Sequence, residues 1–167
     1  GDLVHLLTTR NINGGLAYIS SGNSIYNGMT SRAVFQTCSK SIAKGISGNL
    51  SSVLTNLPTF SWSVNVLAHE LGHNFGLPHT HSCTWSNGTS SGPIDNCYTS
   101  EGGCPPGPGP TNSGTIMSYC HLSSVGINLA NGFGPLPTEK LLAEVNAATC
   151  LSGSTIPRPI TEKYVVI

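Results

Sequence analysis

The residues best able to do chemistry stand in one short run, His69-Glu70-Leu71-Gly72-His73-Asn74-Phe75-Gly76-Leu77-Pro78-His79. His69 and His73 are four apart, so on a helix their imidazoles share a face and can bind one divalent ion. Glu70 is rotated off that face, far enough to stay out of the coordination shell while still reaching a water on the metal. A helix running on past His73 would carry the chain away from the ion. Gly76 can take a positive φ at little cost and turn the chain so that His79 returns as a third ligand. Three imidazoles suit zinc and leave its fourth position open, the pattern of a catalytic rather than a structural site. A lone HExxH arises by chance in unrelated helices. Gly76 and His79 in register make coincidence a poor account, and three histidines on a polar loop would leave Glu70 and Gly76 unexplained.

A helix must carry this run, and the sequence offers one. Val64, Leu67, Ala68, Leu71 and Phe75 recur at helical spacing, with Thr59 or Ser61 as cap and Gly76 before Leu77-Pro78 as the stop. Upstream, residues 2–8 read as a mostly buried strand and residues 15–20 as a second. Ser21–Ser31 reads as loop, and a further strand falls between Ala33 and Ile46. Downstream, Thr80 to Ser113 lacks periodicity and holds Pro105-Pro106-Gly107-Pro108-Gly109-Pro110. A stretch that long and irregular needs staples. Thr138–Ala148 reads as a second helix capped by Thr138, and residues 154–167 as a tail or linker. The expected class is α/β (α+β): a short twisted mixed sheet, an active-site helix, and an irregular C-terminal part. The expected organisation is one catalytic domain over 1–153, divided into 1–76 and a disulfide-rich 77–153.

Composition narrows the setting. The chain has 167 residues, enough for one domain, and only 8% are charged, with a formal net charge of +0. An ordinary soluble domain carries roughly 25% charged residues. Such a surface gives no reason to expect nucleic acid or an anionic membrane as partner. No apolar run approaches the roughly 18 to 20 residues that span a bilayer. The start, Gly1-Asp2-Leu3-Val4, has no basic and apolar leader, so any signal peptide is expected to have been removed. Six cysteines, Cys38, Cys83, Cys97, Cys104, Cys120 and Cys150, form an even set without a CxxC pair. That argues for three disulfides and for an oxidising, extracellular or periplasmic compartment. Locality favours Cys97–Cys104 and Cys83–Cys120. Asn49-Leu50-Ser51 and Asn87-Gly88-Thr89 are glycosylation sequons if the source is eukaryotic.

The extended motif, with Thr115-Ile116-Met117-Ser118-Tyr119 downstream, resembles the metzincin clan of zinc endopeptidases, and most closely the adamalysin (reprolysin-like) peptidases. The resemblance runs from about Asp2 to Cys150. It implies that Met117 forms an apolar floor beneath the metal. It also implies that Asp2–Thr8 is the central strand and that Gly15-Leu16-Ala17-Tyr18-Ile19 is the substrate-binding edge strand. It pairs Cys38 with Cys150. Asp2 and the carbonyl of Cys150 match two positions of an adamalysin calcium site, although Gly153 stands where an asparagine is expected and the upstream acidic ligand is absent. Two further departures stand out: Thr80 replaces the aspartate that usually follows the third histidine, and Tyr119 resembles astacins and serralysins. The N-terminal strand and helices that precede the central strand in metzincins are missing from the sequence.

The implied activity is that of a secreted zinc metalloendopeptidase acting on protein or peptide, with one catalytic Zn2+ and Glu70 as general base. Tyr119 is either an extra donor to the developing oxyanion or a packed aromatic. The edge strand would bind an extended peptide through its main chain. The region from Ser118 to Gly134, free of charged residues, would line an uncharged side-chain pocket. His5 reads as a satisfied core histidine, and His81 and His121, which flank the motifs and could touch substrate, read rather as surface or supporting residues. Two rivals remain: a binding module that keeps zinc for structure, which intact Glu70 argues against, and one piece of a split protease that needs its N-terminal half.

Overall fold

The computed structural model describes residues 3–19, 38, 43–54, 56–86 and 90–148. Three strands, β1 (Val4–Leu7), β2 (Gly15–Ala17) and β3 (Lys44–Ser47), form one mixed sheet in the order β1-β3-β2. β1 runs parallel to β3, with His5 opposite Gly45, and β2 runs antiparallel, with Leu16 opposite Ile46. The third strand thus overlaps only the end of the Ala33–Ile46 window. The remainder of that window apart from Cys38 and Ala43 lies outside the described residues, as does the loop from Ser21 to Ser31.

The expectation of a mostly buried first strand is corrected. Val4, Leu6 and Leu7 are 64%, 58% and 52% exposed, and among the described residues β1 pairs on one side only, with β3 rather than β1 in the middle. An apolar run reports suitability for burial, and the covering element has to come from elsewhere in the chain. The half-buried His5 meets the expectation of a satisfied core histidine at one ring nitrogen only, since its Nδ1 has no hydrogen-bond partner among the described residues. Its Nε2 lies 2.9 Å from Ser47 Oγ, and burial lowers its pKa.

Helix α1 (Trp62–Asn74) follows Ser61, whose backbone caps it without a side-chain bond. It ends in a Schellman motif: Leu77 N donates to Gly72 O at 3.0 Å and Gly76 N to His73 O at 2.8 Å, with Gly76 at φ +80°. The face of α1 that is buried is not the apolar stripe. Asn65, Val66, His69, Glu70, Gly72, His73 and Asn74 are buried, while Val64 is 36% exposed. This polar face lies inward because the sheet and the later methionine turn close over it.

Helix α2 spans Pro135–Ala147, three residues earlier than Thr138 would have started it. Proline at the first helical position needs no donor there, and Gly134 rather than Thr138 precedes the helix. Between the helices the chain is irregular apart from short 3-10 turns at Cys120–Leu122 and Leu129–Asn131. Leu77, Trp85, Ile116 and Met117 form the core, with Ala68, Phe133, Leu136 and Leu141 packed against it. The architecture is a small mixed α+β fold.

The described disulfides are Cys83–Cys104 and Cys97–Cys120, which overturns the pairing by locality. Ser82 and Glu101 form a parallel bridge, so the chain returns beside Cys83 just before Cys104 and decides the partner. Cys38 is disulfide-bonded; Cys150 lies outside the described residues, as do Asp2, Gly153, the Asn87-Gly88-Thr89 sequon and the tail 154–167.

Candidate metal centre

His69, His73 and His79 converge so that their nearest ring nitrogens lie within 4.8 Å of one another. The first two come from α1; the third comes from the strandless segment that Gly76 redirects. Each ring is fixed through its Nδ1. His69 Nδ1 meets Ile116 O at 2.7 Å, His73 Nδ1 meets Leu77 O at 2.7 Å, and His79 Nδ1 meets Glu101 Oε1 at 2.7 Å. Carbonyl and carboxylate oxygens only accept, so each Nδ1 carries the proton and each Nε2 presents a lone pair. His73 Nε2 and His79 Nε2 stand 3.1 Å apart. Two ligand nitrogens on tetrahedral zinc at 2.0–2.1 Å would be separated by about 3.3 Å. Three convergent imidazole lone pairs without a proton between them are a donor set that fits a divalent transition metal, zinc above all.

Electrostatics agree with that fit. Burial lowers the pKa of His69 well below its usual value, and His73 and His79 beside it add to the effect. His73 is lowered by burial as well. Burial, then His73 and His81, push His79 down to about 3, despite the Glu101 carboxylate on its other face. The rings are therefore neutral at neutral pH and ready to ligate. Glu70, next to His69 on α1, is 5% exposed, and burial raises its carboxyl to about 7.

Met117 is fully buried below α1. A methyl added at Gly72 would stand 2.5 Å from its sulfur, so the methionine packs directly against the turn of the helix between His69 and His73. The turn is closed by Ser118 N donating to Thr115 O at 3.0 Å, and the carbonyl it exposes at Ile116 is the one that holds His69. Thr80, the departure after the third histidine, has a definite task. Its N and Oγ1 both donate to Met117 O, at 3.1 and 3.3 Å, tying the His79 segment to the methionine turn.

Tyr119 lies among the histidines: its ring centre is 4.6 Å from that of His79, 4.8 Å from His81 and 5.9 Å from His69. Its hydroxyl pKa is raised, by burial first and then by Glu101 and Glu70, which puts it in the field of both carboxylates. His81 is wholly buried and stacks on His79 at 5.0 Å with a 10° tilt, so it is no surface residue. His121 sits between Tyr119 and Trp62, at 5.7 and 5.5 Å.

On the opposite side, Gly15 in β2 abuts Glu70: a methyl there would meet Glu70 Cγ and Oε1 at 2.5 Å. The edge strand therefore passes over the glutamate, with Leu16 72% exposed. Two residues of this centre escaped sequence reasoning. Asn74, fully buried, donates from Nδ2 to Lys44 O at 2.9 Å and to Tyr18 O at 3.4 Å, pinning strand to helix. Its place directly after the second histidine was the one sequence signal available, and its burial is visible only in the fold. Glu101 had no local signal beyond being one of seven acidic residues in the chain.

Fold and site together define a metallopeptidase-type centre. Residues 1–128 match a reprolysin family model described as metallo-peptidase family M12. The chain belongs to this family of zinc-dependent metallopeptidases. No curated protein and no solved structure gives a match.

Proposed function

We propose that this metallopeptidase is a secreted zinc endopeptidase that uses Glu70 as general base. The observation that carries the reading is the position of Glu70: buried between the metal triad and Gly15 of the edge strand, on the path an extended substrate would follow. Zinc, when held by His69, His73 and His79, supplies activation of water and polarisation of the scissile carbonyl. Glu70 takes the proton from the attacking water and passes it to the departing amine. A carboxyl poised near neutrality suits both halves of that transfer. Tyr119 donates its O–H to the oxyanion that develops on the substrate carbonyl.

An extended peptide adds to β2 through main-chain hydrogen bonds along Gly15, Leu16, Ala17 and Tyr18. Such pairing grips the chain on both sides of the cleaved bond and does not need a terminus, which favours endopeptidase action. The segment from Ser118 to Gly134, without a charged residue, lines an uncharged side-chain pocket. Secretion is supported by the disulfides Cys83–Cys104 and Cys97–Cys120. Among the described residues no helix is long and apolar enough to cross a membrane.

The test is zinc stoichiometry and hydrolysis of casein and of a blocked internally quenched peptide, for wild type and Glu70→Ala. One zinc in each, with cleavage inside the peptide by wild type alone, is expected. Near-normal cleavage by Glu70→Ala would remove Glu70 from its role.

A further inference from the structure

We propose that Glu101 is the positioning residue of the third metal ligand: its carboxylate accepts the Nδ1–H of His79 and holds that ring with Nε2 on the metal. The inference rests on the metal reading above and adds to it a residue that the motif does not contain.

The three ligand rings are oriented by different means. His69 and His73 are on a helix, and their Nδ1 atoms meet backbone carbonyls, Ile116 O and Leu77 O. Those acceptors are set by the fold and no side-chain substitution removes them. His79 has no helix beneath it, and its Nδ1 partner is a side chain 22 residues further on, Glu101 Oε1 at 2.7 Å. Of the three ligands it is therefore the one whose orientation depends on a replaceable group.

That group is itself held in place. Glu101 N donates to His81 O at 3.0 Å, and Cys83 N donates to Glu101 O at 2.9 Å. The Cys83–Cys104 disulfide closes the same loop. The backbone of Glu101 is thus clamped to the segment that begins at His79, and its carboxylate points back along that segment. His81 completes the arrangement by stacking on His79, with its Nε2 3.4 Å from Glu101 Oε1. The second carboxylate of this irregular region, Asp95, is turned away to accept from Cys97 N at 3.1 Å.

A carboxylate on the far nitrogen of a ligating imidazole fixes its tautomer and raises its basicity toward the metal, and loss of such a partner lowers metal affinity about 10–100-fold. A backbone carbonyl fixes the tautomer with less charge.

The experiment uses the full chain with zinc, and separately with cobalt, as probes. Zinc affinity is measured by competition with a chromophoric chelator for wild type, Glu101→Ala, Glu101→Gln and His69→Ala; the visible spectrum of the cobalt form is recorded for each. Glu101→Ala should bind zinc about 10–100-fold more weakly, with an altered cobalt spectrum. Glu101→Gln, which keeps an acceptor oxygen, should recover most of both. His69→Ala should lose zinc altogether. Wild-type affinity and an unchanged cobalt spectrum in Glu101→Ala, with binding still lost in His69→Ala, would overturn the role of Glu101 and leave the metal centre intact. Equal losses in Glu101→Ala and Glu101→Gln together with a matching drop in the melting temperature of the metal-free variants would also overturn it, as a purely structural effect. Absence of zinc binding by wild type would instead sink the metal reading and this inference with it.

Discussion

The backbone of Gly15 in β2 and the side chain of Glu70 in α1 are in direct contact, so close that a methyl at 15 would lie 2.5 Å from Glu70 Oε1. The proposed general base and the proposed peptide-binding strand therefore touch at this one point.

Gly15→Ala should consequently displace the Glu70 carboxylate. A misplacement of about 1 Å at the reacting centre can cost about 100-fold in rate, so kcat should fall by one to two orders of magnitude with zinc content unchanged. Steady-state kinetics and metal analysis on the purified variant check this. Unaltered kcat would mean that Glu70 works from a different rotamer.

Tyr119→Phe removes the hydroxyl but leaves the ring that packs, tilted, among His69, His79 and His81. Loss of one oxyanion donor typically costs about 100–1000-fold in kcat. The expected signature is a fall in kcat of at least tenfold, with KM and melting temperature close to wild type. If kcat holds and stability drops, Tyr119 is a packing residue and nothing more.

Asn74→Ala removes the buried amide that donates to Lys44 O and Tyr18 O, and leaves Lys44 O with Tyr18 N alone at 3.3 Å. Losing such a hydrogen bond costs about 0.5–1.5 kcal/mol, and the loosened edge strand should raise KM for extended peptides more than for dipeptide analogues. Thermal unfolding together with KM across a peptide length series measures both effects. A length-independent KM would separate Asn74 from strand positioning.

The metal-free protein should be destabilised by acid in a defined window. Burial lowers the pKa of His69, His73 and His79 in the fold, whereas in the unfolded chain each returns to about 6.5. Below that value the unfolded state binds more protons, so stability falls as pH falls, from about 6.5 down toward about 3 for His79. Glu70 acts in the opposite sense: its folded pKa of about 7 exceeds its ordinary 4.5, so it favours folding as pH drops between those values. Three histidines outweigh one glutamate. Melting temperature in excess chelator should decline steadily from pH 6.5 to 4.5, and a rise across that range would refute the buried neutral triad.

The His69, Glu70, His73 and Gly76 pattern was readable from spacing because four residues is one turn of any α-helix and a positive φ favours glycine in any fold. These are properties of the local backbone, and they hold before the chain finds its tertiary partners. The metallopeptidase family was legible for the same reason, since both of its signatures are short. Long-range relationships were not. The apolar stripe of Val64 and Leu71 marked the helix, but which face of α1 is buried depends on the sheet and on Met117, which arrive from opposite directions along the chain. The disulfide pairing and the partner of His79 depend on how an aperiodic, proline-rich segment folds back until Ser82 meets Glu101. Closure of such a segment costs entropy that grows only slowly with its length, so separation in sequence does not discriminate between Cys104 and Cys120 as partners for Cys83. Packing and the backbone bonds around Glu101 make that choice, and they exist only in the assembled molecule.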